Sequence, residues 1–207
     1  IYASSSSVYG VKKESLVTED LKAEPLTDYS LFKLKCEEIL LNESSKFNRT
    51  IIRPATVCGY SERQRLDVIV NILTNHAYFN KKIIIHGGSQ LRPNIHIDDI
   101  TDLYLFLIKI NKKFSGIYNA GFENNSIKSM AEKIKKKLGC KIEIIKDLSD
   151  PRSYRQDSTK LLKIGFKPKK GISNAIEDII RMYGEGKIKN KPINHSVKWL
   201  KKVFDKN

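Results

Sequence analysis

The chain has 207 residues, 40% of them hydrophobic, enough for one ordinary core or for one domain and part of another. No apolar run reaches 18 residues, which speaks against a membrane-spanning helix, and the opening IYASSSSVYG lacks the basic lead of a secretory signal. The net charge of +15 sits on lysines spread along helix faces, as in AEKIKKKLG and VKWLKKVFDKN, rather than in one run of alternating basic and aromatic residues. It therefore reads as a solvated lysine-rich surface, which would still attract a phosphorylated small substrate, rather than as a nucleic-acid or membrane site.

In chain order, Ile1–Ala3 reads as the end of a buried strand and Ser4–Ser7 as its exit loop. Chains seldom begin in mid-strand, so a preceding segment is expected. Residues 11–28 form a polar loop, after which Thr27 or Asp28 can cap a helix over about 29–45. RTIIRPATVCG reads as a buried strand over about 50–54, ended by Pro54. A helix over 66–79 and a short strand KIIIHGG follow. DDITDLYLFLIKI reads as a helix with acids in its first turn, and GIYNAG as another buried strand. SIKSMAEKIKKKLG is a helix stopped by Gly139. KIEIIKD alternates as a strand, GISNAIEDIIRMYG is a helix, and 188–207 reads as a loose basic tail. The alternation of strand and helix predicts an α/β fold. Cys36, Cys58 and Cys140 are odd in number and far apart, so neither a disulfide framework nor a zinc site is expected, and a reducing cytoplasm fits best.

Four Tyr-x-x-x-Lys pairs occur: Tyr9/Lys13, Tyr29/Lys33, Tyr78/Lys82 and Tyr183/Lys187. Only Tyr29/Lys33 lies within a capped helical stretch free of glycine and proline, where the spacing puts both side chains on one face. A phenol beside an ammonium can serve as a general base, because the ammonium favours the phenolate. A surface i,i+4 pair of no function is the competing reading of that spacing alone.

Taken in order, SSSSVYG, YSLFKLKCEE, RPATVCGY and LRPNIHIDDI resemble the signature of the extended short-chain dehydrogenase/reductases. Among these the resemblance is to the NAD-dependent epimerase/dehydratase family, of which UDP-glucose 4-epimerase is the familiar member. YNAG and DPRSYRQDSTKLLKIGFKP extend it to about residue 183. The resemblance implies the C-terminal part of a Rossmann-type doubly wound parallel sheet, with a smaller α/β substrate-binding lobe. Residues 1–58 would belong to the cofactor-binding domain, with 93–120 returning to it, and 59–207 mainly to the substrate lobe. By resemblance, Tyr29 is the general base, Lys33 holds the nicotinamide ribose, and Ser5 is the catalytic hydroxyl. Pro54, Ala55 and Val57 would line the nicotinamide, Thr56 would face the sugar, and Arg92 and Arg152 would grip the substrate diphosphate. His96 is expected to orient a loop, and Asp98 and Asp99 to be first-turn acids rather than metal ligands. Arg63, Arg65, Asp67 and Asn71 stay open.

Two departures shape the expectation. The family's 4,6-dehydratases carry an acid just behind the catalytic Ser/Thr, where this chain has Ser6 and Ser7. That argues for 4-epimerisation, or for simple reduction or oxidation at C4, over dehydration. The glycine-rich pyrophosphate turn has no counterpart in the 207 residues and is expected ahead of Ile1. The expected activity is thus nucleotide-sugar 4-epimerisation with NAD, NADP being the alternative cofactor. The partners expected are a nucleotide-diphosphate sugar and, for the full-length chain, a second copy, with no nucleic acid and no membrane. A ketoreductase or dehydratase of the same family and a non-catalytic basic binding module are the alternatives.

Overall fold

The structure, a computed structural model, describes residues 1–44, 47–110, 114–147 and 153–204. In chain order it runs through β1 (Tyr2–Ala3), a 3-10 turn (Ser6–Tyr9), β2 (Leu16–Val17), α1 (Asp28–Asn42), β3 (Thr50–Pro54), β4 (Thr56–Cys58), α2 (Ile69–Asn80) and β5 (Lys82–His86). It continues through β6 (Leu91–His96), α3 (Ile97–Lys109), β7 (Gly116–Ala120), β8 (Glu123–Ser126), α4 (Ile127–Leu138), β9 (Lys141–Ile145) and β10 (Arg155–Gln156). Helices α5 (Thr159–Lys163) and α6 (Ile172–Gly184), a 3-10 turn (Pro192–Asn194) and α7 (Ser196–Phe204) complete it.

Strands β1, β3 and β7 form a parallel sheet in that order. The chain then changes sheets at Ala55: β4 pairs in parallel with β6, and β6 pairs antiparallel with β8. A third sheet joins β5 to β9 and a fourth joins β2 to β10, both parallel. Strand β6 contains Pro93, a residue that argues against a central strand. Its ladder with β4 covers only Asn94–His96, so at Pro93 the strand is flanked on one side and the missing N–H leaves no gap in that ladder. Gly10 adopts φ +69°, and a Cβ there would stand 2.0 Å from the Glu24 carbonyl oxygen, so only glycine lets the 11–28 loop fold back onto Val8.

Two apolar clusters organise the molecule. One lies between α2, α4, β5 and α6, where Ile172, Ala175 and Ile176 line the inner face of α6 and are fully buried. Each such isoleucine contributes about 1.5–3 kcal/mol of burial. The other lies between β3, β6, β7, α3 and α5, around Ile52, Leu103, Leu161 and Phe166.

Helix α1 departs from this pattern. Thr27 Oγ1 accepts from Ser30 N at 3.3 Å while Thr27 N donates to Ser30 Oγ at 3.1 Å, closing a capping box. Its anchor to the sheet is polar. Glu37, almost wholly buried, takes two hydrogen bonds from Arg53 Nε at 3.0 and 3.2 Å and one from Arg53 Nη2 at 2.6 Å, and also accepts from Ser4 Oγ. The Arg53 guanidinium stacks over the Tyr9 ring at 4.8 Å, and the Tyr9 hydroxyl donates to Asn119 Oδ1 at 2.7 Å. Burial works to lower the Arg53 pKa, but the bonds from Glu37 and the Tyr9 neighbour outweigh it and leave it raised.

His96 ends β6 and caps α3, its Nδ1 accepting from Asp98 N at 3.1 Å. Its Nε2 lies 3.4 Å from Asp178 Oδ2 on α6. Lys170 pairs with Asp98 and Arg181 with Asp178, so the two carboxylates already meet two cations, leaving little net charge to hold a metal ion. Asp99 accepts from the backbone N–H groups of Lys169 and Lys170 at 2.9 and 3.0 Å. His96, Asp98 and Asp99 thus fasten α3 to the start of α6.

Glu37→Ala would leave the Arg53 charge buried and unpaired. Urea unfolding should show a loss of about 3–5 kcal/mol, with the double change E37M/R53M recovering much of it. Stability should also depend on His96. Burial, reinforced by Lys170 and opposed by Asp98 and Asp178, lowers its pKa below the ordinary 6.5. The neutral ring is therefore favoured on folding, so its contribution is complete above pH 6.5 and is lost as the pH falls below it. The melting temperature should drop between pH 7.5 and 5, and more steeply for the wild type than for His96→Asn.

Candidate active site

The capping box positions Tyr29 in the first turn of α1, and its phenol is 59% exposed. One turn on, the Lys33 ammonium donates to the Ala3 carbonyl at 2.7 Å, tying the helix to the end of β1. It stands 5.8 Å from the Tyr29 ring centroid and 5.1 Å from that of Tyr2. A lysine ammonium has three donors, and the Ala3 bond takes one of them. Burial, helped by a hydrogen bond with Cys36, raises the Tyr2 phenol well above the usual range. Burial also raises Tyr104, with Tyr29 adding to the effect. Both phenols beside Tyr29 thus stay neutral, and the accessible one is Tyr29.

Ser5 lies at the edge of the same sheet, half-buried, where it caps the 3-10 turn. Its Oγ accepts from Ser7 N at 3.2 Å and lies 2.8 Å from Ser7 Oγ. The hydroxyl is thus held in place by local bonds. Beneath it, Tyr9 is fully buried, and burial pushes its phenol up to about 12.

A cavity of about 710 Å³ opens between α2, β5 and the start of β6. Thr56 pairs with Asn94 across the β4–β6 ladder, and Arg92 lies two residues earlier on β6, so both side chains face one way and both line the cavity. Its walls are largely apolar, with Ile69, Ile72 and Ile84 prominent. His76, Lys82 and His86 stand around it, Lys82 paired with Glu143 and His86 Nδ1 2.6 Å from Asp147 Oδ1. Burial, with His195 nearby, lowers the His76 pKa. Asp67, also on the wall, is pushed up by burial but held below the usual carboxylate range by Arg65 and by the Val197 N–H. The largely apolar wall can take a ring, and Arg92 on it offers a guanidinium suited to a phosphate.

The expected site residues thus fall into two groups. Tyr29, Lys33 and Ser5 gather at the ends of β1 and α1, and Thr56 and Arg92 meet in the cavity. Pro54 ends β3 half-buried, and Val57 is half-buried within the second apolar cluster. Ala55 is buried at the turn between sheets, its N–H donating to the Ala120 carbonyl at 2.8 Å. A Cβ on Gly121 would stand 2.6 Å from that of Ala55, so the two backbones meet closely there. Arg152 lies outside the described residues; Ser153 beside it accepts from Leu91 N at 3.0 Å, next to Arg92. Asn71, left open by the sequence, bonds Gly59 and the Arg65 carbonyl and is structural. His76, Lys82 and His86 were not singled out from the sequence. Their signal is faint: Lys82, Ile84 and His86 share a strand face by period 2, while Ile69, Ile72 and His76 share a helix face.

Comparison with known proteins gives this geometry a context. Residues 1–121 match the NAD dependent epimerase/dehydratase family. UDP-glucose 4-epimerase of Lactobacillus helveticus is 26% identical over 206 residues, covering 87% of this chain and 61% of that protein. A probable GDP-L-fucose synthase of Oryza sativa subsp. japonica is 29% identical over 117 residues, covering 53% of this chain and 35% of that one. The structure of UDP-glucuronic acid 4-epimerase from Bacillus cereus, in complex with UDP-glucuronic acid and NAD, superposes with a TM-score of 0.75 at 27% identity. That match covers 88% of this chain and 60% of the Bacillus chain, so the present chain spans less than two thirds of these relatives' length. With its mixed α/β architecture, its Rossmann-type neighbours and a family match over more than half its length, the chain belongs to the NAD-dependent epimerase/dehydratase family.

Proposed function

We propose that the chain is the chemistry-bearing part of a nucleotide-sugar 4-epimerase acting through transient oxidation at C4. The observation that carries this reading is the Tyr29–Lys33 pair, held on a capped helix with the ammonium fixed to the end of β1 and the phenol open to a ligand. Tyr29, as phenolate, would take the proton of the C4 hydroxyl, directly or through Ser5, and return it when the hydroxyl is re-formed. The remaining donors of Lys33 suit the ribose diol of a nicotinamide nucleotide, a feature NAD and NADP share. NAD, when bound, supplies the hydride acceptor and donor for the sugar carbon. Thr56 would meet the sugar, and Arg92, with Arg152 as a second contact, would hold the diphosphate with the nucleoside in the cavity between α2 and β5. The apolar wall residues would shield the base from water, and the Arg92 guanidinium favours the phosphates. Residues 1–58 with 93–120 would form the cofactor side and the rest the substrate side.

The test uses the protein expressed with any sequence its gene encodes ahead of Ile1. UDP-glucose and UDP-galactose should interconvert without added reductant, whereas consumption of reduced nicotinamide in proportion to product would replace this reading with a ketoreductase. Tyr29→Phe should lower kcat about 10²–10⁴-fold with little change in UDP binding. Arg92→Met should instead weaken UDP binding about ten- to a hundredfold. Equal loss of both properties in both variants would count against the division of labour.

Assembly is part of the proposal. Phe32 and Ile39 project from α1 at 62% and 68% exposure, and a second copy packing there would bury them. Light scattering should give a dimer for the wild type and a monomer for F32E/I39E. A wild-type monomer at micromolar concentration would remove this element.

A further inference from the structure

Residues 186–204 contain six lysines and no acid. The sequence reads this stretch as a loose tail, but it forms the 3-10 turn and α7 described above. At 100° per residue α7 separates cleanly: Val197, Leu200, Val203 and Phe204 fall on one side with Trp199 at the edge, and Lys198, Lys201 and Lys202 on the other. Ile193 extends the apolar stripe backwards. Val197 is 56% exposed, Leu200 44% and Phe204 70%, and no residue of the helix is buried.

The start of the helix is fastened to the lobe. Val197 N donates to Asp67 Oδ2 at 3.1 Å, Leu66 N to the Asn194 carbonyl at 2.8 Å, and Asn194 Nδ2 to the Gln64 carbonyl at 2.9 Å. These bonds set the direction of α7 while leaving its apolar stripe facing outward. The geometry points to α7 as a docking element for the surface of a bilayer that contains anionic lipid. The stripe would enter the acyl boundary, the lysine face would meet the headgroups, and Trp199 at the edge would sit at the interface between them. Charge complementarity selects this occupant. A second copy would bring an equally basic helix against the first. A nucleic acid would use the lysines but has no use for an aliphatic stripe of Val197, Leu200 and Val203, since base stacking needs aromatics on the basic face. A helix of nine residues gives weak, reversible attachment that needs the apolar and the charged contributions together. The inference revises the expectation that no membrane is a partner, and it does not depend on the epimerase reading.

Trp199 is the single tryptophan of these 207 residues, so with any tryptophan encoded ahead of Ile1 replaced by phenylalanine its fluorescence reports on α7 without a label. The whole protein is mixed with vesicles of phosphatidylcholine, with and without phosphatidylglycerol, at low and at high salt. The expected result is a blue shift and flotation with the anionic vesicles only, reversed by salt. K198E/K201E/K202E and L200D/F204D should each weaken attachment at least about tenfold with the circular-dichroism melting curve unchanged. The proposal is overturned by the absence of a shift on anionic vesicles at low salt, by equal attachment to neutral vesicles, or by either variant attaching like the wild type. Capture of single-stranded RNA in place of vesicles, or a change of oligomeric state in L200D/F204D without an effect on vesicles, overturns it too. Because the wild-type salt and lipid dependence stands alone, a variant that fails to fold does not rescue the idea.

Discussion

The buried Arg53–Glu37 ion pair is the contact on which the candidate catalytic end depends. Helix α1 buries almost none of its apolar side chains: among its described residues only Ser30 and Glu37 are buried. It therefore cannot be held to the sheet by hydrophobic packing in the way α6 is. A charged pair in a low-dielectric setting replaces that packing, with three hydrogen bonds between the partners and a further one from Ser4. Desolvating two charges is expensive, and these bonds offset it although Arg53 Nη1 is buried without a hydrogen-bond partner among the described residues, the guanidinium resting on the Tyr9 ring. In return the pair is directional. It sets the rotation of α1 about its axis, and with it the direction in which Tyr29 and Lys33 point.

The same cluster reaches both sides of the sheet. Arg53 sits in the middle strand, Ser4 at the exit of β1 and Asn119 on β7, with Tyr9 linking the guanidinium to Asn119. Two residues beyond Arg53 the chain leaves this sheet through Ala55 and enters β4 at Thr56, on the cavity wall. The sheet to which α1 is anchored is thus joined to the cavity wall at Thr56 by a single short turn. The close approach of Ala55 and Gly121 keeps that turn compact.

How much of this is legible in the sequence varies by element, for physical reasons. The α1, β3 and α4 assignments come straight from a cap, a run of apolar residues before proline, and a glycine stop, all of them local signals. Strands β4, β8 and β10 are too short to show a period, and β6 hides behind Pro93, so pairing partners distant in sequence define all four. The apolar residues of α1, Phe32 and Ile39, look like core and are exposed, because the burial on that helix falls on Glu37. The tail reads as loose because it is basic and only weakly amphipathic as a sequence. Its fastening comes instead from Asp67 and Gln64, more than a hundred residues away.

The sequence by itself determined the family and the α/β order, and it marked Tyr29/Lys33, among four equivalent spacings, as the pair proposed above to act. These rest on local spacing, on helix caps and on motifs that keep their order whatever the chain does around them. Only the tertiary structure decided which side chains share a space: Thr56 with Arg92 and the histidines in one cavity, Glu37 beneath Arg53, and α7 with its apolar stripe turned outward. Those relations arise where strands and helices far apart in sequence pack together. Burial and the pairing of charge are properties of that packing, and no single segment carries them.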